Sequence, residues 1–158
     1  MSAAVPVFAP IGRAAAGLLA AGGRLDLRAY ASEDDEDARY AAQLYAGLAA
    51  LLDGDALRLV LAAEVVPDQV RGDPADVFGA VEVSGLRWSQ VRAWFADEAG
   101  AADDLARARS LARGRTLEQV AEDDGVLALV DRWDLLWYAP EEISAVPSGP
   151  AAGTGGAD

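Results

Sequence analysis

Apolar positions along the chain fall into short runs that change period several times. Val5 to Phe8 is a β-branched run around Pro6, and a proline inside a strand confines it to a sheet edge or to the strand's start. Ile11 to Ala20 follows as a helix stopped by Gly22 and Gly23. Leu25, Leu27 and the pair Ala29–Tyr30 alternate with Asp26 and Arg28, which predicts a second strand. Ser32 then opens the best-defined helix. Its hydroxyl can cap the first turn, and Glu33, Asp34 and Asp35 suit the positive end of the helix dipole. Ala41, Leu44, Tyr45, Leu48, Leu51 and Leu52 recur at helical spacing until Asp53-Gly54-Asp55.

Leu57 to Val65 is almost continuously apolar, as expected of a strand buried on both faces near the middle of a sheet. Pro67 to Phe78 carries proline, glycine and three aspartates and reads as a loop, and Ala80 to Ser84 reads as a strand. Val91 to Ala96 fits either period, but its β-branched and aromatic content favours a strand. Ala101 to Arg113 predicts a helix with Leu105, Ala108 and Leu111 inward, ended by Gly114. Thr116 and Gln119 form a capping-box pattern for a short helix ending at Asp123-Asp124-Gly125. Val126 to Val130 and Leu135 to Ala139 are two apolar runs around Asp131-Arg132-Trp133-Asp134, which predicts a closing hairpin. From Ser144 small residues, proline and glycine leave nothing to bury, so residues 144–158 read as a disordered tail. The pattern amounts to one α+β domain over residues 1–143. Its sheet is mixed or mainly antiparallel, of about six strands, with about four helices.

Length and composition agree with that reading, since 158 residues with 53% hydrophobic content suffice for one buried core. Charge changes the picture more. The net charge is −13, and all thirteen basic residues are arginine. So acidic a surface repels phosphate backbones and anionic lipids, which argues against nucleic-acid and membrane partners. The opening apolar stretch has no basic residue ahead of it and is split by Arg13, so it reads neither as a secretion signal nor as a membrane span. The expected location is the cytoplasm.

The absent residue types exclude whole chemistries. Without histidine or cysteine there is no Ser–His–Asp or Cys–His nucleophile and no ordinary zinc site. Without lysine there is no Schiff base and no phosphate-loop lysine. Carboxylates, tyrosines and arginines remain. Glu33 to Asp37 could in principle hold a hard cation, but consecutive helical residues diverge, and a helix start is the better account. Asp53, Asp55 and Glu64 echo three EF-hand ligand positions, yet Leu57 and Arg58 stand where a ligand and a glycine are needed. Glu64, Asp134, Glu141 and Glu142 are candidates for carboxylate acid–base chemistry. Arg107, Arg109, Arg113 and Arg115 form the one basic cluster, readable either as an anion grip or as a helix end. No cofactor is implied.

The most distinctive stretch is Leu129 to Ile143, LVDRWDLLWYAPEEI. As a strand, Leu135, Trp137 and Ala139 share one face and Leu136 and Tyr138 the other. Both faces are apolar, which predicts a last core strand, while Trp133 in the turn is the better candidate for an exposed anchor. DLLWYAPEEI resembles the C-terminal signature of an actinobacterial domain-of-unknown-function family of small acidic proteins. AYASEDDEDARYAAQLYAGLAALL, RLVLAAEV and AVEVSG with VRAWFADE are similar in the same order. The resemblance spans roughly Val5 to Ile143. It implies an intracellular protein and supplies no activity. Relatives tend to carry histidine where this chain has Trp133, so any role of that histidine in catalysis is closed to this chain. The residues therefore favour a non-catalytic interaction or regulatory module, with Trp133, Asp134, Glu141 and Glu142 as candidate surface and another protein as candidate partner. The alternatives are a carboxylate- or divalent-metal-dependent enzyme and an arginine-lined binder of a small phosphorylated ligand.

Overall fold

Period-two burial sorts the strands into the two faces of a single sheet. The computed structural model describes residues 4–148, except 34, 54, 73–75 and 77. Seven strands run antiparallel: β1 (Val5–Pro10), β2 (Leu25–Ala31), β3 (Leu59–Val65), β4 (Val70–Gly72), β5 (Ala80–Leu86), β6 (Val91–Ala96) and β7 (Leu136–Tyr138). Their order is β4-β5-β2-β1-β3-β6-β7. On one face Val7, Ala9, Leu61, Ala63, Val83 and Trp94 pack with Ala16 and Leu19 of α1 (Arg13–Ala20). On the other, Phe8, Tyr30, Val60, Ala62 and Ala93 meet Ala42 and Ala46 of α2 (Glu36–Asp53). The small side chains at i and i+4 bring this helix close to the sheet.

The far side of α2 builds a separate, largely helical core. Leu48 and Leu51 pack there against Leu105 and Ala108 of α3 (Ala102–Ala112), Val120 of α4 (Leu117–Val120), and Val126 and Leu129 of α5 (Asp124–Val130). Burial of each large aliphatic side chain here contributes about 1.5–3 kcal/mol. Among the described residues no helix is long and apolar enough to cross a membrane.

The α+β class, the strand at Val91–Ala96, the buried strand from Leu59 and the Thr116–Gln119 capping box all match expectation. Several expectations are corrected. Of the two placements open to the strand at Val5, the edge is excluded, since β1 is the fourth of seven, and Pro6 stands at the strand's start, second in β1. Ser32 N–H donates to Pro6 O at 3.0 Å, so the Pro6 backbone faces β2, and alternation turns Pro10 the same way. The two missing N–H groups therefore point at β2, where only Val7–Ala31 and Phe8–Tyr30 pair. Toward β3 the ladder runs six residues. Proline is tolerated in mid-sheet because both copies weaken the same side. The helix begins at Glu36 and not at Ser32, whose hydroxyl donates to Glu33 O. Asp35 is the cap, its Oδ1 accepting the Ala38 N–H at 2.8 Å.

The stretch Pro67–Phe78 contains a strand, β4, paired with β5, in addition to loop. Leu111 is 52% exposed, and Ala112 is the buried residue of that turn. The closing hairpin does not form. Val126–Val130 is helix α5, capped by Asp123, whose Oδ1 accepts the Val126 N–H at 3.0 Å. Its buried residues Val126, Leu129 and Val130 stand at i, i+3, i+4, a pattern that a five-residue apolar run cannot distinguish from a strand. The chain also stays folded beyond Ile143. A 3₁₀ turn spans Pro140–Ala145, and Val146 is buried. The remainder of the expected tail, 149–158, lies outside the described residues.

Candidate functional site

Beneath the segment 131–135 lies the most buried ion pair of the described chain. Asp97, just past β6, has no solvent exposure. Its Oδ2 accepts the N–H and Nε–H of Arg58 at 2.9 and 2.8 Å, and its Oδ1 accepts Nη2–H at 2.8 Å. Nη2 also donates to Trp133 O at 3.0 Å, which ties the turn after α5 to the sheet. Nη1 is left without a hydrogen-bond partner among the described residues. It faces Gly47 of α2, where an added Cβ would lie 3.7 Å away.

Above it is a hollow of about 280 Å³ between α2 and the segment 130–135, lined by Tyr40, Gln43, Asp131, Trp133 and Asp134 among others. Asp131 and Asp134 are exposed. Gln43 also borders a second hollow of about 340 Å³, over the sheet face at Phe8, Ala62, Ala93 and Phe95, whose outer wall is Trp137. The two hollows adjoin at Gln43 of α2.

The expected anchor, Trp133, is half-buried. Its indole lies against Gly100 and donates to Asp104 Oδ2 at 2.9 Å. That hydrogen bond, with help from Arg132, holds the Asp104 carboxyl below the usual carboxylate range. Trp133 and Asp134 share the first hollow, but neither Glu141 nor Glu142 lines either hollow. Glu142 Oε1 accepts the Ala139 N–H at 2.7 Å, and Glu142 N–H donates to Ala139 O at 2.9 Å. Glu64 pairs with Arg92 at 3.6 Å. Among the described residues no group of three or more acidic side chains could hold a metal ion. The arginine cluster is dispersed as well. Arg109 donates to the carbonyls of Leu51, Asp55 and Ala56, and Arg115 pairs with Asp123.

The residue that pattern reading missed is Trp137. The predicted core strand is an edge strand, with Leu136 40% and Trp137 60% exposed. Its backbone directions follow from the register. Asp97 N–H donates to Arg58 O at 3.3 Å, so Asp97 and, by alternation, Phe95 face β3. Trp94 and Ala96 then face β7, where they pair with Tyr138 and Leu136. Trp137 is left with its N–H and C=O directed away from the sheet. The next outward pair, that of Ala139, is occupied by Glu142.

An α+β protein with an exposed edge strand, β7, beside a helix-walled groove is the class these features define. The chain belongs to a family of unknown function (DUF6912), whose model matches residues 12–146. No curated protein matches it, and no solved structure does.

Proposed function

We propose that this chain is a cytoplasmic, non-catalytic module that binds another protein by adding an extended, basic segment of it to the edge of β7. The single observation that carries the reading is Trp137, an exposed indole on a strand edge whose own N–H and C=O point outward. Strand addition uses such a free backbone pair for affinity and a neighbouring side-chain surface for specificity. Native sheets commonly blunt their edges with proline, lysine or a covering loop. Among the described residues only Ala139 is blocked, and an aromatic side chain stands at the opening.

Charge selects the partner. The chain carries −13, and around β7 and its hollows Glu64, Asp131, Asp134, Glu141 and Glu142 outnumber Arg39, Arg92 and Arg132. A second copy would bring the same sign of charge to the same edge, whereas a basic segment is attracted to it. Enzymatic chemistry has less to work with, since histidine, cysteine and lysine are absent and the candidate acids stand apart.

The test is selection of short random peptides on the immobilised protein, followed by binding to Trp137→Ala and Trp137→Pro. Proline at this position removes an outward N–H and leaves the β6–β7 ladder intact. Selected peptides should be rich in arginine and lysine, and should lose at least about tenfold in affinity on Trp137→Pro. Peptides that bind both variants as well as the wild type would overturn the reading. So would a Trp137-dependent dimer in sedimentation, which would assign the edge to a second copy.

A further inference from the structure

The first hollow holds a set of groups whose electrostatics are incomplete. Arg58 is matched in charge by Asp97, with only 6% and 0% of the two side chains exposed, yet Nη1 keeps free donor capacity. The carboxylates of Asp131 and Asp134 have no hydrogen-bond or ion-pair partner among the described residues. An anion seated on Nη1 would meet Asp97 behind it and the two exposed carboxylates in front, so phosphate and carboxylate ligands are disfavoured. A neutral carbonyl suits the free donor, and a cation suits the two aspartates. At about 280 Å³ the space lies at the low end of ligand pockets, enough for one side chain.

We infer that this hollow is the specificity pocket of the groove, receiving a single arginine or lysine of the bound segment. The side-chain cation lies against Asp131 and Asp134, and a backbone carbonyl of the segment accepts from Arg58 Nη1. The inference rests on the reading of the groove as a docking surface for a basic strand, because Gln43 lines both this hollow and the one whose outer wall is Trp137. Gly47 contributes by what it lacks. It sits inside α2 with no backbone conformation that requires glycine, although glycine weakens a helix interior. A methyl group there would contact Leu135 Cδ1 at 3.5 Å and Arg58 Nη1 at 3.7 Å, ordinary packing distances. Alanine would therefore fit the fold and cover the donor.

The experiment titrates nitrogen-labelled full-length protein with N-acetyl-arginine amide, following the Trp133 indole and the backbone of residues 131–135 by NMR. N-acetyl-citrulline amide, equal in shape and uncharged, is the control. Saturable shifts at these positions are expected with the arginine compound and not with citrulline. Asp131→Asn with Asp134→Asn should weaken binding about fivefold or more. Gly47→Ala should weaken it while raising the melting temperature, which separates a blocked donor from a damaged fold. Equal responses to both compounds, no saturable shift, or undiminished binding in both variants would overturn the inference. An amino-acid derivative is too short to add a strand, so this outcome is independent of the peptide experiment at Trp137.

Discussion

Asp97 meets three donors of a single residue, the N–H, Nε and Nη2 of Arg58, in a place water does not reach. Such a pair is costly to desolvate, but removal of one member leaves the other charged and uncompensated. Asp97→Ala should cost about 3–5 kcal/mol in urea denaturation. The same substitution should release the Trp133 carbonyl and broaden the NMR signals of residues 131–135. Asp104 provides a gentler probe nearby. The Trp133 indole N–H, then Arg132, favour its ionised form and depress its folded pKa. A carboxyl depressed in the folded state contributes stability that is present above its unfolded pKa and lost as pH falls through the folded value. Trp133→Phe should therefore raise the Asp104 pKa toward the ordinary range in an NMR titration, and should reduce the steepness of acid unfolding below about pH 4. An unchanged Asp104 titration would mean that Arg132 and Arg107 hold it without the indole.

Elements are positioned by arginines that the sequence presented only as a basic cluster. Arg109 reaches from α3 to the carbonyls of Leu51, Asp55 and Ala56, closing the C-terminal end of α2 and the turn that follows. Hydrogen bonds from a charged donor contribute about 1.5–3 kcal/mol each before context is allowed for. Arg109→Met, which keeps the aliphatic stem, should lower stability by roughly 2–3 kcal/mol, with Arg109→Lys recovering only part because it lacks the planar fork. Long periodic segments were legible from pattern alone, as α2 and the buried run of β3 illustrate. Short runs were not. Val126 to Val130 has the same apolar composition as helix or strand, and only its contacts with α3 and the Asp123 cap decide between them. The site was legible in part for a related reason. Of the four residues named in the stretch from Leu129 to Ile143, Trp133 and Asp134 line the first hollow, whereas Glu141 and Glu142 line neither. Which tryptophan is exposed depends on strand order, and no local pattern encodes that β7 comes last.

For the whole molecule, a net charge of −13 acts in opposite senses on folding and on the proposed binding. Like charges held on one compact surface repel, so the free protein gains stability when salt screens them. Attraction of a basic segment to β7 is weakened by the same screening. Between roughly 0.01 M and roughly 0.15 M ionic strength the Debye length shrinks from about 30 to about 8 Å, short enough to separate charges on opposite sides of the domain. The melting temperature of the free protein should rise over that interval, while peptide affinity falls, mainly through a slower association rate. Because the buried Arg58–Asp97 pair is sheltered from ions, the increase should persist in variants of exposed acids but diminish as each is neutralised. Differential scanning calorimetry and stopped-flow binding on the same samples would measure both arms. If affinity and stability moved together with salt, the acidic surface would not be what draws the partner, and the attraction would have to come from the indole of Trp137 and the apolar floor of the groove beside it.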